Sequence, residues 1–150
     1  MRRQILAGIL AFAFTILLRA DSAESRNGVF EAVLLEVVRI ADSDMAFVAL
    51  HVDGRPTDLP KAVLDALERH RAIRPISECD YASGTPRLKG TEKPGVVCWV
   101  AEEIEWDSKQ EALVDFGYHR SPVSAMVGTA RCRFEAGRWI VSVSELKASS

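Results

Sequence analysis

Alternation of apolar and polar residues after Gly95 is the feature that most constrains how this chain folds. Four segments alternate with a period of two, which is typical of strands that have one buried face. They cover residues 96–106, 111–119, 124–135 and 138–146, with breaks of only two to four residues between them. Connections this short join neighbouring antiparallel strands. The pattern therefore predicts a four-stranded antiparallel meander at the C-terminal end.

Two helices and one further strand are predicted ahead of the meander. Apolar residues recur every three or four positions over residues 27–40, which indicates an amphipathic helix, and the valines there also suit a strand. Residues 45–52 are β-branched and aromatic, as expected for a strand. A second helix is predicted from a cap at Thr57 or Asp58 to His70. The expected fold class is α+β, with two helices packed on one face of an antiparallel sheet.

The closing hairpin has two possible registers. If Ala136 and Gly137 form a two-residue turn, Phe134 lies opposite Trp139 and the apolar residues share one face. A three-residue loop would instead set Trp139 against Arg133. The first register requires a positive φ at Ala136, which alanine resists, but side-chain partition involves more energy than one strained turn residue. We therefore predict the two-residue turn, with Phe134 and Trp139 in the core.

The first 22 residues have the layout of a secretory signal peptide. Two arginines precede 14 uncharged, mostly apolar residues, and small residues flank a cut before Ala23. About 20 residues are needed to span a bilayer, so a stable membrane span is the weaker interpretation. Arg19, close to the cut, keeps an uncleaved anchor as the alternative. We expect residues 1–22 to be removed, residues 23–150 to form a single domain, and the protein to be secreted or periplasmic.

The charge of the mature chain argues against a nucleic-acid partner. The whole chain has 19 basic and 21 acidic residues, and removal of residues 1–22 leaves 16 and 20, a net charge of −4. Nucleic-acid binding usually needs a basic face that displaces counterions from phosphates. We therefore expect a protein or a small molecule as the partner.

Three cysteines remain after signal removal, and an odd count in an oxidising compartment implies one disulfide and one free thiol, or an intermolecular bridge. In the predicted meander, Cys98 and Cys132 lie on strands separated by a third, roughly 9 to 10 Å apart, beyond the reach of a disulfide at about 7 Å. By elimination, Cys79 pairs with Cys98 and closes residues 79–95, a segment rich in glycine and proline that predicts a long loop or a loose hairpin. The alternative is that all three thiols are reduced.

No segment carries a strong chemical motif. The histidines lie far apart and lack metal-ligand spacing, and the chain has no phosphate loop or nucleophile elbow. Six carboxylates crowd one hairpin and are interpreted as a solvated face, with Arg131 and Arg133 alongside Asp115. These carboxylates are Glu102, Glu103, Glu105, Asp107, Glu111 and Asp115. We predict no catalytic residue, no metal ligand and no cofactor.

The segment from "GVVCWVAEEIEW" through "GRWIVSV" resembles the C-terminal half of a family of small bacterial proteins of unknown function. The family pattern has a V-x-x-G-Y-Y strand, a G-P-L turn and a closing D-G-R-W-x-V hairpin, and "RPISEC" at residues 74–79 is similar to an upstream piece of it. Here Ala136 replaces the aspartate and His119 replaces the second tyrosine. The final Gly-Arg-Trp hairpin alone is similar to NTF2-like and cystatin-like α+β domains. These resemblances imply a fold rather than an activity.

The sequence is compatible with two functions. The preferred hypothesis is an exported, non-enzymatic module that binds a protein or a small ligand. The alternative is an NTF2-like enzyme or ligand carrier with a cavity between the helices and the sheet, lined by Trp99, Tyr118, His119 and Trp139. A concave cavity that holds a histidine or a carboxylate favours the alternative. A filled core with an exposed apolar patch favours the binding module.

Overall fold

The computed structural model describes residues 22–70 and 72–149, so residues 1–21 of the predicted signal peptide lie outside the described residues. The first helix, α1 (Ala23–Ala41), confirms the amphipathic prediction and begins four residues earlier than expected. The Ser22 side chain caps it by accepting a hydrogen bond from the Ser25 N–H at 3.2 Å. The helix ends at Asp42, which adopts the left-handed conformation with φ 46°.

One stripe of α1 is buried against the sheet. Its members recur at the three- and four-residue spacing of a helix face, which is why the sequence pattern detected it. The buried residues are Val29, Phe30, Val33, Leu34, Val37 and Ala41. This stripe anchors the helix over the helix-side core of the molecule.

The sheet is mixed at one end and antiparallel through the meander. Its order is β2-β1-β6-β7-β8-β9, and the short β3 runs parallel to β1 on the edge that it shares with β2. β1 and β6 are parallel, whereas β6 to β9 pair in chain order as antiparallel neighbours, which confirms the predicted meander. The strands are β1 (Ala46–Val52), β2 (Arg55–Thr57), β3 (Ile73–Pro75), β6 (Val96–Ser108), β7 (Glu111–Ser121), β8 (Ser124–Glu135) and β9 (Arg138–Ser149).

The second helix, α2 (Lys61–Leu67), is shorter than predicted, and the predicted cap is wrong. Pro60 occupies the cap position without a side-chain bond. Asp58 instead accepts a hydrogen bond from the Ser77 N–H at 3.0 Å, and the Thr57 hydroxyl donates to the Leu50 carbonyl at 3.0 Å. Both polar side chains therefore tie neighbouring segments together rather than start the helix.

The closing hairpin has the predicted register. Phe134 pairs with Trp139, and the turn residues Ala136 and Gly137 have φ values of 51° and 78°. These positive values at both central positions are those of a type I′ turn. Ala136 therefore adopts a strained φ in the register that places the apolar side chains on one face, as predicted from the sequence.

Two of the four register shifts in the meander lie away from its hairpin turns and bend its strands. Val100 of β6 pairs with Phe116 of β7, and Ile104 pairs with Val114. Between these two pairs, β6 has two more residues than β7. At this bulge the Arg26 guanidinium of α1 donates a hydrogen bond to the Glu102 carbonyl at 2.8 Å. β9 carries a second irregularity in its later half, opposite the step from Val127 to Thr129. Bulges of this kind increase strand twist and redirect side chains.

Each face of the sheet has its own core. The helices cover one face, the helix side, and residues 76–95 cover part of the other, the opposite face. Those residues form a 3₁₀ turn (Ile76–Glu78) and two short antiparallel strands, β4 (Cys79–Asp80) and β5 (Arg87–Leu88), so the loose hairpin predicted there is present. The opposite-face core comprises Met45, Phe47, Ala49, Ile76, Cys79 and Val97.

Candidate functional site: a groove between α1 and the C-terminal hairpin

An open groove of about 930 Å³ lies between α1 and the β8–β9 hairpin. One wall is a flank of α1 beside its buried stripe, and the other is formed by β9 and by the turns at the ends of the hairpins. We refer to this site as the α1–β9 groove. It is lined by Ser22, Glu24, Ser25, Gly28, Glu31, Ala32, Leu35, Glu36, Arg39, Lys109, Gln110, Phe134, Gly137, Arg138, Trp139 and Val141.

Aromatic side chains form the hairpin wall of the groove. The Trp139 ring contacts Phe134 at a centroid distance of 5.2 Å and Trp106 edge-on at 5.8 Å. A Cβ atom on Gly28 would lie 2.8 Å from Cδ1 of Trp139, so the absence of a side chain on α1 lets the indole pack against the helix. The Trp139 indole therefore packs against α1 where the two walls of the groove meet.

This arrangement corrects the prediction that Phe134 and Trp139 are core residues. Phe134 is 38% exposed, and Trp139 is only partly buried, because the groove lies where further core would have to cover them. The register of the hairpin was predicted correctly, but register determines which face a residue occupies and not whether that face is covered.

Charged groups are unevenly placed around the groove. On the helix wall, Arg39 binds Glu36 through two hydrogen bonds of 2.5 and 3.0 Å, which lower the pKa of the Glu36 carboxyl. Glu24 and Glu31 form no ion pair with any residue of the described chain. Lys109 in the β6–β7 turn and Arg138 at the start of β9 supply positive charge at the hairpin side of the groove.

The four residues predicted to share a pocket do not converge. Tyr118 and Trp139 lie on the helix side of the sheet, whereas Trp99 and His119 lie on the opposite face. Only Trp139 lines the α1–β9 groove. Tyr118 and His119 are consecutive in β7, and successive side chains of a strand point to opposite faces.

On the opposite face, Trp99 lies in an aromatic row. Its indole stacks on His51 with the centroids 4.1 Å apart, and it passes so close to Gly117 that a Cβ there would lie 2.6 Å from the ring. Tyr81 stacks on His119 at 6.1 Å. Burial lowers the pKa of both histidines, and the charge of His119 contributes to the lowered pKa of His51.

A smaller cavity of about 320 Å³ adjoins this row. Beside Trp99 it is bordered by Asp115, which accepts a hydrogen bond from the Thr129 hydroxyl at 2.8 Å. The expected neighbours of Asp115 bind elsewhere: Arg131 lies 4.0 Å from Asp107, and Arg133 lies 3.6 Å from Glu111. The interpretation of these carboxylates as an exposed, partly ion-paired face is compatible with these contacts.

The predicted disulfide between Cys79 and Cys98 is wrong. Cys79 packs in the opposite-face core and Cys98 in the helix-side core, so the sheet lies between their side chains. Cys79, Cys98 and Cys132 are all free and buried. Burial raises the pKa of the Cys98 and Cys132 thiols to about 12, which disfavours the nucleophilic thiolate.

Sequence reasoning missed the helix wall of the groove. Glu24, Gly28, Glu31 and Leu35 recur at helical spacing and form a second stripe beside the buried one. The helical spacing of that stripe is visible in the sequence, but its position opposite β9 is set by the tertiary structure.

Comparisons set few further limits on this groove. Within residues 22–70 and 72–149, no helix combines the length and the hydropathy that a membrane crossing requires. The same residues contain no cluster of three or more histidine, cysteine, aspartate or glutamate side chains able to hold a metal ion. Searches of family models, curated proteins and solved structures gave no match to this chain.

Proposed function

We propose that this protein is an exported, non-enzymatic binding module that holds its ligand or partner in the α1–β9 groove. The observation that carries the proposal is the combination, in one open groove, of an aromatic wall and a helix wall whose Glu24 and Glu31 form no ion pair within the described residues. A volume of about 930 Å³ falls within the range of roughly 300 to 1,000 Å³ that is usual for ligand sites.

The apolar part of the groove supplies a driving force for binding. Phe134 is 38% exposed and contacts Trp139, and Val141 and Leu35 add further apolar surface to the lining of the same groove. Removal of apolar surface from water contributes about 25 cal/mol per Å². Contiguous exposed apolar surface with a polar rim is also a feature of interaction sites.

The enzyme form of the alternative has less support in this groove. Its described lining contains glutamates, whereas the histidines and cysteines of the described chain lie elsewhere. Glu36 is bound by Arg39, which lowers its pKa, whereas a general acid at neutral pH needs a raised one. The carrier form has less support as well, because only Trp139 of its four predicted lining residues lies in the α1–β9 groove. A long helix on an antiparallel meander also accords with the proposed likeness to NTF2-like and cystatin-like domains.

Export is supported by the composition of residues 1–22. A basic start, an apolar stretch of 14 residues and small residues before Ala23 are the three parts of a secretory signal. Mass spectrometry of the protein recovered from outside the cytoplasm tests this part. A mature chain that begins at Ala23 supports export, and a full-length chain confined to the cytoplasm contradicts it.

Binding is tested with the uncharged, environment-sensitive dye Nile red. We expect dye fluorescence to rise on binding, and backbone amide NMR shifts to change along α1 and the first half of β9. Ala32→Gln, which places a larger side chain in the groove, should weaken dye binding severalfold. Ala62→Gln on the exposed surface of α2 is the matched control. Shifts that cluster away from the groove, or equal binding by both variants, would refute the assignment.

A further inference from the structure

We propose that the partner of the α1–β9 groove is an extended peptide segment that adds a strand to β9 and alternates basic with apolar residues. This inference rests on the proposed function, since it identifies what the same groove holds. Three features of the described part of the chain meet there and carry it: a strand edge without a neighbouring strand, a helix wall with two carboxylates that form no ion pair, and an apolar residue exposed on the other side of the edge.

The first feature is the edge of the sheet. β9 is the last strand in the sheet order, and within the described residues it pairs only with β8. Among the same residues, no backbone hydrogen bond to the outer edge of residues 138–144 is present. Proteins usually protect such an edge with proline, lysine or a bulge. In β9 the irregularity and Lys147 lie in the later half, and residues 138–144 contain no proline and no register shift.

The unprotected half of β9 is the half beside the groove. Trp139 and Val141 line the groove, and both belong to residues 138–144. A seven-residue strand spans about 20 Å. The lining of α1 extends from Glu24 to Arg39, a length of about 22 Å at the helical rise. An added strand of this size would fit along the helix, with its main chain bonded to β9 and alternate side chains in the groove.

The chemistry of the helix wall selects basic side chains on the groove face of that strand. Glu24 and Glu31 have no ion-pair partner in the described chain, and Leu35 provides apolar surface beside them. A lysine or arginine can lay its aliphatic stem over apolar surface and place its charge against a carboxylate. Lys109 lies in the β6–β7 turn and Arg138 is the first residue of β9, beside the closing turn, so we expect the basic residues of the partner to lie along the helix.

The other side of β9 selects apolar residues at the alternate positions. Ile140 points to the opposite face and is 40% exposed. Side chains of an added strand alternate between the two faces, so the residue beside Ile140 lies outside the groove. An apolar residue there would cover Ile140 and remove both surfaces from water. The expected partner segment therefore alternates basic and apolar residues.

A second copy of this chain is a poorer occupant. Antiparallel pairing of two β9 strands would place two helix walls, each with Glu24 and Glu31, around one shared groove. The like charges would repel, and neither wall would gain a cationic partner. The partner class favoured by charge is thus a different, basic segment.

The test uses fluorescein-labelled heptapeptides in which lysine alternates with valine, with the full chain and fluorescence anisotropy as readout. We expect saturable binding, and at least tenfold weaker binding of a heptapeptide in which glutamate replaces lysine. Glu24→Gln combined with Glu31→Gln should weaken binding of the lysine peptide about fivefold. The matched control is Glu68→Gln combined with Glu103→Gln, two exposed carboxylates outside the groove, which should leave binding unchanged.

Peptide N-methylation tests strand addition itself. All lysine N–H groups of an extended peptide point to one edge and all valine N–H groups to the other. Methylation of one set should therefore abolish binding, and methylation of the other set should change it less than about twofold. Equal effects of both sets would overturn strand addition, and equal binding of the lysine and glutamate peptides would overturn the charge argument.

The dye separates this inference from the proposed function. Dye binding that is weakened by Ala32→Gln, without saturable binding of the lysine peptide, would leave the groove as a ligand site and reject the peptide. Loss of both would reject the proposed function as well. A dimer in sedimentation that Glu24→Gln and Glu31→Gln strengthen, together with no peptide binding, would identify a second copy as the occupant and overturn the inference.

Discussion

The helix-side layer of this protein is closed at one end and open at the other. At the closed end, Val37 of α1, Val48 of β1 and Phe116 of β7 are fully buried. At the open end, α1 meets β8 and β9, but Phe134 stays exposed and Trp139 only partly covered. α1 contributes to both ends: its buried stripe packs at the closed end, and the flank that carries Glu24 and Glu31 lines the open end. Neighbouring stripes of one helix therefore differ: one is buried in the core, and the other lines the groove that we propose as a binding site.

The largest expected difference in the free energy of unfolding is between alanine substitutions of two phenylalanines, Phe116 at the closed end and Phe134 at the open end. Phe116→Ala removes a fully buried side chain, and a substitution of this kind costs about 3 to 5 kcal/mol in the free energy of unfolding. Phe134→Ala removes a side chain that is 38% exposed, so we expect a loss below about 1.5 kcal/mol. Urea denaturation of both variants measures the difference. Equal losses would mean that the open end is packed like the closed end.

The contact between the two walls is tested at Gly28. A Cβ there would approach Trp139 at 2.8 Å, so Gly28→Ala must displace the indole. Alanine gains up to about 1 kcal/mol of helix propensity, which offsets the strain, and we expect stability to change by less than about 1 kcal/mol. Dye affinity should fall severalfold because the aromatic wall moves. Unchanged affinity and an unchanged tryptophan emission spectrum of the protein would remove Trp139 from the site.

Lowering the pH from 7 to 5 should reduce the stability of the protein through His51 and His119 on the opposite face. The closed and open ends of the helix side should not contribute to this loss. Burial lowers the folded-state pKa of His51 and His119, so below the ordinary value of 6.5 the unfolded chain binds more protons than the folded one. The contribution of these histidines to stability is therefore complete above pH 6.5 and is lost as the pH falls. Urea denaturation at pH 7 and pH 5 should show this loss.

Substitution of the histidines identifies the source of the pH effect. His51→Gln combined with His119→Gln should reduce the loss of stability between pH 7 and pH 5. His70→Gln, at an exposed position after α2, should leave it unchanged. An identical pH dependence in all variants would show that other groups dominate.

The smallest effect concerns two turns of the same type. Asp53 and Gly54 join β1 to β2 with φ values of 50° and 74°, and Ala136 and Gly137 have nearly the same geometry at the open end. Asparagine and aspartate tolerate the left-handed region better than alanine does. We expect Ala136→Asn to stabilise the protein by about 0.5 kcal/mol and Asp53→Ala to destabilise it by a similar amount. Thermal unfolding measures both, and a loss of stability in Ala136→Asn would contradict the turn assignment.

The meander was predictable because its information is local. Alternation assigns each side chain to a face, and a short turn pairs the strands, so the register of Phe134 with Trp139 followed from the sequence. The same alternation also rules out a pocket shared by Tyr118 and His119, because consecutive residues of a strand face opposite ways. The disulfide prediction failed for a related reason: Cys79 belongs to a segment that crosses the opposite face, and its hairpin pattern does not specify a face.

The groove was not predictable in the same way. Its helix wall is a stripe that the sequence contains, but its existence depends on how far α1 extends over the edge of the sheet. That placement follows from the buried stripe of α1, the bulge at Val100 to Ile104 and the Arg26 bond to Glu102. These contacts join residues up to 76 positions apart, beyond what local patterns report.

Hydrogen exchange of the β9 backbone, measured with and without the alternating lysine–valine heptapeptide, tests the central claim most directly. Amides in residues 138–144 that do not bond to β8 point outward and should exchange quickly in the free protein. If the segment docks on this edge, their exchange slows at least tenfold when the peptide saturates the protein, and amides of residues 79–95 remain unaffected. Slowing confined to residues 79–95, or no slowing in β9 at saturation, would contradict the account.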